Sequence, residues 1–133
     1  SEGRLYPWGD ATPDCTRASH LWAVDENHNE ICISKDNKED TNEVGSYPAG
    51  ATPLGVVDLA GNVQEWVSDW YSTSYYTSLP LVNPPGPLNG TEKVIRGGPF
   101  NRPADELYTA FRFKYDAPEE DYNIGFRCVL PAR

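Results

Sequence analysis

The segment Asp58-Leu59-Ala60-Gly61-Asn62-Val63-Gln64-Glu65 places two carboxylates at the ends of a short stretch with a glycine between them. Hard cations take oxygen ligands, and Ca2+ gathers about 6–8 of them at roughly 2.3–2.6 Å. The segment is therefore a candidate oxygen-ligand site. The same residues also have a structural reading, in which Asp58 caps a turn and Glu65 pairs with Arg96 or Arg127. A second polar group follows Gly97-Gly98: Asn101, Arg102, Asp105, Glu106, Tyr108 and Arg112. Polar and aromatic loop residues on a rigid support suit recognition of a protein or peptide ligand. An ordinary solvated loop is the alternative. Of the three cysteines, Cys15 and Cys32 flank a polar segment; a bridge between them closes a loop of about 18 residues and contributes roughly 3 kcal/mol in the chain-entropy picture. Two buried thiols is the other reading. The bridge implies an oxidising, extracytoplasmic or secreted setting. The third cysteine is Cys128, and an odd count leaves at least one of the three without an internal partner. His20 and His28 lie on polar sequence and read as solvated, and no Cys/His spacing suits zinc.

These residues need a frame. The chain has 133 residues, enough for one domain with one core. Hydrophobic residues make up 38%, but 4 Trp and 8 Tyr let a core form from few side chains. The 12 Pro and 11 Gly predict short elements joined by many turns rather than long helices. Tyr6-Pro7-Trp8-Gly9-Asp10 reads as an aromatic turn, and Asp25 to Glu43 as a charged surface loop. Val44 to Pro48 and Leu54 to Leu59 read as short extended pieces. Strands are predicted over Asn62–Tyr71, Lys93–Gly98, Tyr108–Lys114 and Ile124–Val129, from β-branched and aromatic residues in partial alternation. The prolines of Asn83-Pro84-Pro85-Gly86-Pro87 exclude a regular element there. A formal charge of −9 disfavours nucleic acid and anionic membrane surfaces, and no apolar run approaches the ~20 residues of a membrane span.

Five of these segments, in this order, resemble the sulfatase-modifying-factor family, which includes formylglycine-generating enzymes and non-enzymatic relatives. They are Tyr6-Pro7-Trp8-Gly9-Asp10, Val44-Gly45-Ser46-Tyr47-Pro48, Leu59-Ala60-Gly61-Asn62-Val63-Gln64-Glu65-Trp66, Val94-Ile95-Arg96-Gly97-Gly98 and Gly125-Phe126-Arg127-Cys128. Gly-Asn-Val-x-Glu-Trp is the most specific of them. The resemblance covers residues 1–133 as a single domain and matches the later part of the family domain. It implies an α+β fold with little regular secondary structure, short strands and long loops, of a divergent C-type-lectin-like kind. It also implies that another polypeptide, or an upstream half, completes the domain.

By the same resemblance, Asp58, the carbonyls of Gly61 and Val63, and Glu65 form a calcium site. A second, weaker site maps to Ser19, the His20 carbonyl, Asp36 and the Lys38 carbonyl. Formylglycine-generating members carry two cysteines shortly after the Arg-Gly-Gly element, soft thiolates that hold copper. Here Pro99 to Tyr108 contains no cysteine. The expectation is thus a non-catalytic, calcium-stabilised binding or structural module, with neither copper nor the iron of the family's sulfoxide synthases. Two alternatives stand beside it: a fragment or subunit of an oxidase-type enzyme whose chemistry lies elsewhere, and a ligand-binding protein diversified over residues 99–112.

Overall fold

The structure is a computed structural model that describes residues 3–20, 40–77, 82, 84–116 and 120–130. Its centre is a four-stranded sheet of order β3-β2-β1-β4: β1 is Gln64–Trp70, β2 Glu92–Arg96, β3 Phe113–Asp116 and β4 Ile124–Gly125. β1 and β3 flank β2 as antiparallel neighbours, and β4 lies parallel to β1. Glu65 pairs with Arg96 and Trp66 with Ile95, whereas Trp70 pairs with Lys93, so β1 bulges between its two tryptophans. Such a bulge bends the strand and re-aims its side chains. Among the described residues, helical structure is confined to 3-10 turns at Pro48–Gly50, Tyr75–Thr77 and Ala104–Leu107. The proline-rich composition predicts that paucity.

Both predicted extended pieces and two of the predicted strands differ from what forms. Leu54 to Leu59 pairs with nothing: Thr52 and Val56 close a tight turn, Thr52 N–H donating to the Val56 carbonyl at 2.9 Å, and Leu54 sits 92% exposed at its tip. Val44 to Pro48 is likewise a turn leading into the first 3-10 segment. The third strand starts at Phe113 rather than Tyr108, because the Phe111 N–H folds back onto the Tyr108 carbonyl at 2.9 Å. The last strand pairs only at Ile124 and Gly125, so Phe126 to Val129 carries no ladder. Alternation identifies what is able to form a strand; a partner at the right distance decides where it forms. Most of the charged loop from Asp25 lies outside the described residues.

The core is small and aromatic. Tyr6, Ala18, Ala60 and Leu107 are buried together, with Trp8 and Ala104 packed on them, and Ile95 on β2 is wholly buried. Tyr6 opens the expected aromatic turn: its N–H and carbonyl both bond to Gly9, and its ring stacks on Trp8 at 5.2 Å and on Tyr108 at 5.0 Å. Residues far apart in the chain are tied directly. The Thr109 hydroxyl donates to the Arg4 carbonyl at 2.6 Å, and its N–H to the Leu5 carbonyl at 2.8 Å. After β2 the backbone turns sharply through Gly97 and Gly98, both at positive φ; a Cβ on Gly98 would meet the Glu106 carbonyl at 2.9 Å. The second glycine is needed for that close approach.

Candidate functional site

The Asp58–Glu65 loop is built from both ends of the chain. Asp58 adopts φ 54, a left-handed conformation that Asp tolerates, and its carboxylate accepts the Gly45 N–H at 2.7 Å. Gly61, at φ 82, donates its N–H to the Gly97 carbonyl at 2.8 Å. Its α-carbon faces the Ser19 carbonyl and Ala18, with no room for a side chain. Asn62, at φ 66, is the tie between four segments. Its amide exchanges two hydrogen bonds with the backbone of Asn42, at 2.9 and 3.1 Å; its N–H donates to Ser19 and its carbonyl accepts from Phe100, each at 2.9 Å.

Glu65, on β1, is engaged by Arg127. The guanidinium donates to both carboxylate oxygens, through Nε at 2.8 and 2.7 Å and through Nη2 at 2.5 Å. It also donates to the Val57 carbonyl at 3.1 Å and the Asp58 carbonyl at 2.8 Å. Bidentate pairing of this kind is the strong form of the arginine–carboxylate contact. Its hydrogen bonds to Glu65 raise the Arg127 pKa, against a smaller opposing effect of desolvation. Together these contacts test the fit of calcium to Asp58, Gly61, Val63 and Glu65. A dication needs open oxygen ligands, yet both Glu65 oxygens already accept from Arg127 and one Asp58 oxygen accepts from Gly45. Among the described residues, no group of three or more His, Cys, Asp or Glu side chains is placed to hold a metal. As arranged, Glu65 is held by the guanidinium, while the second Asp58 oxygen carries no such contact among the described residues.

In the second set, the Ser19 hydroxyl accepts from the Asn42 side chain at 3.0 Å, while Asp36 and Lys38 lie outside the described residues. His20 is fully buried rather than solvated, its Nδ1 3.2 Å from the Ala18 carbonyl. Burial lowers its pKa, because the charged imidazolium loses water, and the Ala18 carbonyl opposes that shift. The polar segment that suggested solvation folds against the aromatic core. Cys32 too lies outside the described residues, so the predicted bridge to Cys15 is not described; Cys128 is exposed.

The recognition set after Gly97-Gly98 separates into two. Asn101 donates to the Tyr122 hydroxyl at 2.8 Å and accepts from Asn123 at 3.2 Å. Arg102, Asp105 and Glu106 lie at the 3-10 turn before Leu107, where desolvation, partly offset by Arg102, raises the Glu106 pKa. Tyr108 and Arg112 instead line a cavity of about 560 Å3, on the sheet face that carries Val67 of β1 and Val94 of β2. Trp70, Tyr75 and Tyr76 form its aromatic wall, and Arg96 lies in it. Sequence reading missed the contribution of Trp70, Tyr75 and Tyr76, because the β1 bulge and the 3-10 turn at Tyr75–Thr77 bring them there. It also missed the structural role of Asn62, for which its place inside the Gly-Asn-Val element was the available signal.

Comparison with known proteins agrees with the five ordered segments. The sulfatase-modifying factor enzyme 1-like domain matches residues 1–132. The formylglycine-generating enzyme of Streptomyces coelicolor is 36% identical over 135 aligned residues, covering 98% of this chain and 41% of that protein. The serine/threonine-protein kinase Pkn1 of Chlamydia trachomatis is 42% identical over 104 residues, covering 75% of this chain and 17% of the kinase. The chain thus spans less than half the length of these relatives. Among solved structures, the Treponema denticola variable protein 1 shares the fold, with a TM-score of 0.61 at 22% identity over 93% of this chain and 40% of that one. The chain belongs to the sulfatase-modifying factor enzyme 1-like (FGE-sulfatase) domain family.

Proposed function

We propose that this chain is a non-catalytic binding or structural module of its family, acting extracytoplasmically as part of a domain that further polypeptide completes. The exposed apolar row after β4 carries the reading. Phe126, Val129 and Leu130 are 76%, 82% and 90% exposed, beside the exposed Cys128 on the edge of the sheet. Each such side chain gains about 1.5–3 kcal/mol when buried, and a run of exposed apolar side chains marks a surface that another chain covers. The chain covers 41% of the length of the Streptomyces enzyme, so such relatives carry additional polypeptide able to cover this row. Pro99 to Tyr108 supports the absence of formylglycine chemistry, because it lacks the thiols that would hold copper and attack.

Two measurements test the proposal. The folded protein should bind the neutral dye Nile red, and a variant carrying Phe126→Ser, Val129→Ser and Leu130→Ser should bind it more weakly; equal signals would show that the row is not an open apolar surface. Incubation with copper, reductant and a cysteine-containing peptide should leave the peptide mass unchanged. Conversion to the aldehyde would favour the oxidase reading. The extracytoplasmic setting rests on a Cys15–Cys32 bridge, so intact mass after alkylation without reductant should show one alkylated thiol. Three would remove that argument.

A diversified ligand-binding protein is the second reading. The cavity lined by Tyr108 and Arg112 favours it, as does the shared fold with a protein named for its variability.

A further inference from the structure

The ~560 Å3 cavity lies within the size range of small-molecule sites, roughly 300–1,000 Å3. This chain forms its walls unaided, from segments as distant in sequence as Pro7, Thr52, Trp70 and Arg112. It is therefore distinct from the apolar row after β4, and the inference does not rest on completion of the domain. Its aromatic surface comes from Trp70, Tyr75, Tyr76 and Tyr108.

The charges inside it are unusual for a chain of net −9. Glu65 lines the cavity but is neutralised by Arg127. Asp69 also lines it and accepts only the Ser68 hydroxyl, at 3.2 Å. Arg96 is half-buried, and its single hydrogen bond goes to the Thr109 carbonyl. A guanidinium has five N–H donors, so most of those on Arg96 are uncommitted among the described residues. Arg112 makes no hydrogen bond or ion pair there; its guanidinium lies over Tyr76 at 4.1 Å and Tyr71 at 5.3 Å. Arg112 is near enough for its charge to oppose that of Arg96, while Asp69 favours it. Arg96 and Arg112 both line this aromatic cavity, and guanidinium charge taken out of water is relieved by a bound anion. Arg4 lines the cavity too, so with Asp69 counted against Arg4, Arg96 and Arg112 its lining keeps a net positive charge.

We infer that this cavity binds a small anion with a planar apolar body, an aryl carboxylate, whose carboxylate meets Arg96 and Arg112 and whose ring packs against Trp70, Tyr75 and Tyr76. Arginine presents paired donors that match a carboxylate, and the tyrosine and tryptophan rings supply stacking surface. The Arg112 guanidinium lies over the Tyr76 ring at 4.1 Å, which places it on the aromatic wall where the ligand ring would pack.

Titration calorimetry of the intact chain with phenylacetate, benzyl alcohol and benzylamine at constant ionic strength separates charge from shape. Phenylacetate should bind at least about tenfold more tightly than benzyl alcohol, with benzylamine weakest, and added salt should weaken phenylacetate alone. Arg112→Gln should reduce phenylacetate affinity by about tenfold while leaving benzyl alcohol unchanged. This variant removes no hydrogen bond of the fold, so it remains informative if Arg96→Gln fails to fold. Arg17→Gln, which removes a charge paired with Asp14 away from the cavity, should change nothing. Equal binding of the three compounds, no binding of phenylacetate at millimolar concentration, or unchanged affinity in Arg112→Gln would each overturn the assignment.

Discussion

Asn62 and Arg127 each act at several points of the fold through one planar group. The Asn62 amide both donates to and accepts from the Asn42 backbone, as a neighbouring strand would, so a single side chain supplies a rung of backbone pairing. Asn62→Ala leaves the part-buried N–H and carbonyl of Asn42 without their partner. It should lower stability by about 1–3 kcal/mol, less than two fully buried unsatisfied groups would cost, read from the urea midpoint. Asn62→Asp keeps the acceptor alone and should recover part of that loss. Arg127 fastens the C-terminal segment to the Asp58–Glu65 loop through one carboxylate and two carbonyls. Because it is about one-third exposed, Arg127→Ala should cost only about 1–3 kcal/mol. With both Glu65 oxygens occupied, the melting temperature of the unmodified chain should be indifferent to EDTA and to millimolar calcium. Removal of the guanidinium should make it rise with calcium. A fall in melting temperature on chelation of the unmodified chain would instead assign the loop to the ion.

At the scale of elements, the sheet is short and its connections are pinned by backbone contacts. Gly61 shows how little freedom they leave: its N–H bonds to Gly97, and a Cβ there would collide with the Ser19 carbonyl at positive φ. Gly61→Ala should therefore cost several kcal/mol, conformational strain of about 1–2 plus a displaced loop. Gly55→Ala, at φ 78 with nothing within 4 Å of the added carbon, should cost only the conformational part. Circular dichroism melts of the two variants compare them directly, and equal losses would mean that the Ser19 approach yields readily. The strands were only partly legible in the sequence for a related reason. Gln64–Trp70 falls within its predicted segment and Glu92–Arg96 overlaps the predicted Lys93–Gly98, because their β-branched and aromatic residues also find partners. Tyr108–Arg112 and Phe126–Val129 have strand-like composition but no neighbour, so the first turns back on itself and the second stays unpaired.

For the whole molecule, the aromatic turn at Tyr6 joins the start of the chain to Tyr108, and its ionisation reports on the fold. Burial first, then the neighbouring Tyr108, push the Tyr6 pKa from 10.0 up to about 12. An acid whose folded pKa is raised stabilises the fold fully below the unfolded value. That stability is lost as pH rises, because the unfolded chain then releases a proton that the folded one retains. Stability should fall between about pH 10 and pH 12, and Tyr6→Phe should flatten that part of the profile. A profile unchanged by the substitution would place the alkaline loss elsewhere.

The sequence by itself determined the order of the five segments, and with them the family, because glycine, proline and tryptophan at those positions constrain the backbone locally. It also determined that Pro99 to Tyr108 has no thiol. Only the tertiary structure decided which of two partners each carboxylate takes. Asp58 and Glu65 read equally well as cation ligands or as members of a turn cap and an ion pair until Gly45 and Arg127 were brought to them from remote segments. The tertiary structure likewise gathered Trp70, Tyr76, Arg96 and Arg112 around one cavity. Hydrogen bonding and desolvation depend on distances across the fold, and sequence spacing does not encode those distances.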